Sequence, residues 1–181
     1  MRHVPDTSVF FIFSIAEEDI PMGHPVRRKD REITDRDEIY EILDRAFIGH
    51  LALCSGGEPY VVPLCFGVMN GAVYFHCARE GRKLDMIAEN PRGCFQVQCD
   101  EDLVRSPQRA CGWGMLYKSV MISGPITLVE DEEEKGAALL AIMKKYAGGD
   151  FSHEFSSAEC ASVTVLRLDP RERSGKARRP A

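Results

Sequence analysis

Apolar residues return along this chain in two rhythms. Between 35 and 47, Ile39, Ile42, Leu43 and Ala46 recur every three or four positions, which gathers them on one face of an α-helix. Thr34 and Asp37 form a capping box at its start. A second helix is predicted from Asp131 to Tyr146: acids from Asp131 to Glu134 open it, Leu139, Ile142, Met143 and Tyr146 share a face, Lys144 and Lys145 end it, and Gly148-Gly149 follow. This order satisfies both ends of the helix dipole. A shorter helix over 81–89 turns Leu84, Ile87 and Ala88 inward and stops at Asn90-Pro91, because a proline ring clashes with a continuing helix.

Elsewhere the period is two. Strands are predicted at His50–Cys54, Pro59–Met69, Ala72–Cys77, Arg92–Cys99, Gly114–Val129 and Ala161–Leu168, with a turn at Ser55-Gly56-Gly57, a polar irregular stretch over 100–112 and a bend near Gly124-Pro125. Asn70-Gly71 predicts a type I′ hairpin, since both residues tolerate the positive φ that turn requires. A two-residue loop then fixes the register: Met69 faces Ala72, Gly67 faces Tyr74, Phe66 faces Phe75 and Cys65 faces His76. One side of the hairpin carries Tyr60, Val62, Leu64, Phe66, Val68, Val73 and Phe75 and must be core. The other carries Val61, Pro63, Cys65, Gly67, Tyr74 and His76, small residues and polar rings on which a ligand or a second subunit can lie flat. Antiparallel succession with three helices that do not alternate regularly with the strands indicates a mainly β (α+β) fold, a barrel with appended helices rather than a doubly wound sheet.

At 181 residues and 44% hydrophobic content the chain suffices for one globular domain. We place it at 27–170, between an N-terminal extension, 1–26, and a basic C-terminal tail, 171–181. The formal charge of -5 argues against general nucleic-acid binding. Basic clusters at Arg27, Arg28, Lys29 and Arg31 and at Arg171, Arg173, Lys176, Arg178 and Arg179 read as solvated ends. The apolar run Val9–Ala16 is too short to span a bilayer and lacks a cleavage site; it reads as an extension ahead of an internal start at Met22, or as a segment packing on a partner chain. Seven cysteines with no Cys-x-x-Cys pair suggest neither disulfides nor a zinc ribbon, and fit a reducing cytoplasm. The five histidines have no metal-ligand spacing, and His50 reads as structural.

The most informative stretch is Tyr74 to Asp85, YFHCAREGRKLD, where a strand gives way to a helix across Gly81. Arg82 and Lys83 stand at a helix N-terminus that already carries about half a positive charge. Either an anion such as phosphate binds this turn, held by free backbone N–H groups and the two cations, or the pair is simply solvated at a small cost.

The order YVVPLCFG, Asn-Gly turn, YFHCA, EGRKLD and a helix ending NPR resembles the flavin-binding core of the pyridoxamine 5'-phosphate oxidase-like proteins. The chain is most similar to the nitroimidazole-resistance branch, whose Tyr-x-Ser-Val strand and acidic turn resemble GWGMLYKSVMISGPITLVEDEEEK. The resemblance runs from about Arg27 to Pro170. It implies a six-stranded antiparallel split β-barrel, a homodimer and FMN at the subunit interface. Val61, Val62, Pro63 and Leu64 would then pass beside the isoalloxazine ring. His76, Arg82 and Lys83 would hold the phosphate, with Cys77, Ala78 and Gly81 shaping the turn, and Tyr117 and Ser119 would approach from the second subunit. His76 equally suits a surface position, and Tyr117 and Ser119 equally suit ordinary strand positions.

The substrate-binding Arg-x-His region of pyridoxamine phosphate oxidase proper is absent. The expected activity is reduction of a nitro-aromatic or similar small acceptor by reduced flavin, with NADH or NADPH as donor and no assignable catalytic residue. A flavin-storing or flavin-sensing protein, or a haem-binding split barrel, remains the alternative.

Overall fold

The first helix, α1 (Arg36–Arg45), starts one residue later than its capping pattern suggests: Asp35 is the N-cap, and its carboxylate accepts the backbone N–H of Asp37. The stripe of α1 buries Ile39, Ile42 and Leu43. The computed structural model describes residues 26–180, so the expected extension, apart from a buried Val26, lies outside the described residues.

One antiparallel sheet dominates the molecule. Its strands are β1 (Glu32–Ile33), β2 (Gly49–Ser55), β3 (Glu58–Leu64), β4 (Phe66–Met69), β5 (Ala72–Cys77), β6 (Arg92–Val104), β7 (Gly114–Leu128), β8 (Thr164–Leu168) and β9 (Glu172–Arg178). Among the described residues nine strands replace the expected six, for identifiable reasons. The run 59–69 divides at Cys65, its first half pairing with β2 and its second with β5. The break is held by α3 (Glu132–Ala147), whose Tyr146 hydroxyl accepts the Phe66 N–H at 3.1 Å. Gly67 lets that helix approach: a Cβ there would sit 2.8 Å from the Ile142 nitrogen.

The strand order β3-β2-β6-β7-β8-β5-β4 therefore begins and ends on the two halves of one run, and the sheet curls round without closing, as a split barrel. β7 also serves both halves. Tyr117–Ser123 pairs with β9 and Ile126–Leu128 with β8, the change falling at Gly124-Pro125, where a bend was expected.

The C-terminal segment corrects the sequence reading. Residues 172–178 are not a solvated tail but strand β9, paired with β7 and with β1. The start of the last predicted strand is likewise helical: α4 (Ser157–Ser162) is set by a capping box between Ser156 and Glu159 and displaces that strand to Thr164.

The hairpin register is as the turn dictates, with Phe66 opposite Phe75, Gly67 opposite Tyr74 and Met69 opposite Ala72. Asn70 and Gly71 have φ of 51° and 77°. Cys65, expected opposite His76, lies in the break and pairs with nothing in the ladder. Phe66 and Phe75 meet Phe95 edge-on at 4.9 and 5.0 Å between centroids, contacts worth about 0.5–1.5 kcal/mol each beyond their buried area. Tyr74, expected on the open side, is buried beneath α3, where its hydroxyl donates to Glu134 at 2.8 Å. Helix α3 thus covers the β4–β5 half of that side and leaves only the β3 half open.

Candidate functional site

Helix α2 (Arg82–Glu89) begins at Gly81, whose φ of 125° suits glycine and which offers no side-chain cap. The N–H groups of Arg82 and Lys83 have no preceding turn to bond to, so they remain available to a ligand. Arg82 is not alone there. Its guanidinium donates to Glu58 at 2.9 Å and lies 5.0 Å from the centroid of the Tyr60 ring. Lys83 reaches the Cys77 thiol, which burial pushes above its usual range while the ammonium pulls it back. The end of β5, the start of α2 and the start of β3 therefore converge on one exposed cationic turn.

Beside that turn lies the outer face of the sheet. Alternation places Val61 and Pro63 of β3 outward, Val61 being 58% exposed. Val62 and Leu64 point the other way and pack against the core, so they can offer a ligand only backbone atoms. Across β2, β6, β7 and β9 the register aligns two rows: Val61, Ala52, Cys94, Ser123 and Glu172, then Pro63, His50, Gln96, Met121 and Ser174. A third row joins Gln98, Ser119 and Lys176. Helix α1 packs its buried stripe with the core on the opposite side.

His76 is exposed at the end of β5, opposite Val165. Ala78 and Gly81 are exposed in the turn itself. Tyr117 and Ser119 lie half-buried on β7 and face Arg178 and Lys176, and the Ser119 hydroxyl donates to the Lys176 carbonyl at 3.5 Å. Three ladder spacings, about 14 Å, separate β7 from β3. Hence one chain gathers Cys77, Arg82 and Lys83 at the turn with Glu58 and Tyr60 of β3 beside them, while Tyr117 and Ser119 lie some three strands from β3.

Two outward cations, Lys176 and Arg178, were read only as part of a solvated tail, and the alternation Ser174-Gly175-Lys176-Ala177-Arg178, small residues inward and cations outward, was the available signal. His50, read as structural, is exposed on the same face. A shallow dent between α1 and the hairpin, lined by Tyr40, Leu43, Val68 and Arg173 among others, lies on the core side and is too small for an organic ligand. Among the described residues no three His, Cys, Asp or Glu side chains gather as a metal site, and no helix is long and apolar enough to cross a membrane.

Comparison with known proteins agrees with the fold. Residues 35–177 match the family model described as pyridoxamine 5'-phosphate oxidase. A Bacteroides thetaiotaomicron structure named for 5-nitroimidazole antibiotic resistance is 30% identical, with 80% of this chain and 85% of that one aligned and a TM-score of 0.70. A flavocytochrome of Azotobacter vinelandii is 25% identical over 87% of this chain and 73% of its own, TM-score 0.75. An FAD- and haem-binding protein of Mycobacterium smegmatis shares the fold at 20% identity, over 82% and 74% of the two chains, TM-score 0.74. No curated protein matches.

Proposed function

Because this chain belongs to the pyridoxamine 5'-phosphate oxidase family, we propose that it is a flavoprotein which binds FMN between two copies of itself and acts as an oxidoreductase on nitro-aromatic or similar small acceptors. The observation that carries the reading is the turn at Gly81: a helix start with uncapped N–H groups and two cationic side chains, at the edge of an open sheet face. That donor set fits a phosphate monoester. The exposed Val61 and its flat neighbours fit an aromatic ring system.

Each residue has a definite part in this reading. Arg82, Lys83 and His76 bind the phosphate, and Cys77, Ala78 and Gly81 shape the turn that receives it. Val61, Val62, Pro63 and Leu64 run along the ring. Pro59 and Pro63 share the alternation of Val61, and a proline fits an edge strand where its missing N–H would face away from the ladder. In that arrangement Val61 alone of the three presents an N–H to the free edge, as a donor to the ring's polar side. Tyr117 and Ser119, some three strands away, come from the second copy and complete a site that a single chain leaves open. Bound FMN supplies the electron transfer, while the protein contributes orientation and exclusion of water.

Purification is the test. The reading requires a yellow protein with absorbance near about 450 nm that bleaches on adding NADH or NADPH and recovers with a nitro-aromatic acceptor. A colourless protein that takes up no flavin would refute it. Bound flavin without bleaching would point to storage or sensing, and a haem spectrum would assign the face to haem, with His50 and His76 as its exposed histidines.

A further inference from the structure

We propose that Tyr60 is a positioning residue for the anion received at the Gly81 turn: its ring holds the face of the Arg82 guanidinium and leaves the rim to exchange Glu58 for a phosphate. The inference rests on the phosphate reading of that turn and adds a residue which that reading does not use. Glu58 and Tyr60 alternate on one face of β3, and both reach the same side chain. They meet different surfaces of it. The Glu58 carboxylate accepts an N–H from the guanidinium at 2.9 Å, while the central carbon of Arg82 lies over the Tyr60 ring, 5.0 Å from its centroid. A guanidinium stacks on an aromatic ring through its face and directs its N–H groups outward in its own plane, so the two contacts do not compete.

The two partners differ in permanence. Glu58 is well exposed at the start of β3, and water screens its pair with Arg82. Tyr60 is half-buried, stands opposite the buried Leu53 and packs against the core. A phosphate arriving at the turn meets the guanidinium rim, where it displaces the carboxylate and leaves the ring contact in place. Arg82 is itself more than half exposed, and a long exposed side chain loses conformational freedom when it orders around a ligand. With the Tyr60 ring beneath it, part of that ordering precedes binding.

The experiment uses the flavin-free full-length protein and three probes: inorganic phosphate followed by phosphorus NMR, and FMN and riboflavin followed by fluorescence. Tyr60→Leu, which keeps an apolar side chain against the core, should weaken phosphate and FMN by about two- to fivefold, the worth of one exposed cation–π contact. Riboflavin, which lacks the phosphate, should bind as before. Tyr60→Met, measured in parallel, should behave as Tyr60→Leu, and Tyr60→Phe, which keeps the ring, should bind all three probes like wild type. In an Arg82→Ala background Tyr60→Leu should cost nothing more, because its effect passes through the guanidinium.

Equal weakening of FMN and riboflavin, unchanged phosphate affinity, or the same loss with Arg82 already removed would overturn the inference. Phosphate that binds and responds to Tyr60→Leu in a protein that takes up no flavin refutes the flavoprotein reading alone. Flavin that binds with no response to Tyr60→Leu refutes the role of Tyr60 alone.

Discussion

The pair between Arg82 and Glu58 makes opposite predictions for its two partners. Any phosphate at the Gly81 turn must share Arg82 with a carboxylate 2.9 Å away. Both side chains are well exposed, at 55% and 77%, so the pair is worth only about 0.2–1 kcal/mol. Glu58→Gln should therefore tighten FMN binding by up to about fivefold, by releasing the guanidinium and removing a repelling charge. Arg82→Ala/Lys83→Ala removes two charge-assisted contacts of about 1.5–3 kcal/mol each before solvent screening, so an apparent loss of roughly 10- to 100-fold is expected. Fluorescence titration of FMN into the flavin-free protein at two salt concentrations measures both, with the larger loss at low salt. Weaker binding by Glu58→Gln, or unchanged binding by the double variant, would show that the phosphate does not sit at this turn.

Three further outcomes test the scaffold. Gly67→Ala should destabilise the fold by about 1–3 kcal/mol, because its Cβ would press on backbone of α3 at 2.8–3.1 Å; an unshifted melting temperature would refute the close approach. Lys145→Met should cost about 1.5–3 kcal/mol, a fall in melting temperature of roughly 3–12 °C, because Lys145 donates to the Leu43 and Asp44 carbonyls at 2.8 and 2.5 Å and caps the end of α1. Glu159 is held at about 2 by the Ser156 backbone N–H, the Ser156 hydroxyl and His153. Its folded value lies below the usual 4.5, so its stabilisation is complete above pH 4.5 and lost as pH falls towards 2. Denaturation of wild type and Glu159→Gln should therefore converge across that window; a constant difference would refute the assignment.

How far the sequence determined this fold depended on whether each element was governed locally. The hairpin at Asn70-Gly71 was legible to the residue, because a two-residue turn fixes register without help from the rest of the chain. The division at Cys65 was not. It depends on Tyr146, eighty residues later, supplying an acceptor to the Phe66 N–H, and no local pattern announces that. The same helix explains the misplacement of Tyr74: period two correctly set it opposite the core face, but only tertiary packing decides that α3 covers that side. A pattern of alternation reports which residues share a face, and not which face stays open.

The cationic turn was legible because it violates a rule that α3 obeys. Helix α3 opens with Glu132, Glu133 and Glu134 and closes with Lys144 and Lys145, whereas α2 opens with Arg82 and Lys83. Glu58, which answers part of that mismatch, was invisible from sequence because β3 and α2 meet only in three dimensions. β9 was misread for a related reason. Five cations between Arg171 and Arg179 looked like a solvated run, and charge density hid the alternation beneath it. In the fold, Gly175 and Ala177 turn inward while Lys176 and Arg178 turn out to the face that carries Ser119 and Tyr117. Charge at a chain end is thus no guide to its solvation when the residues between the charges are small, because small residues let a strand lie against the sheet and deliver its cations to a single face.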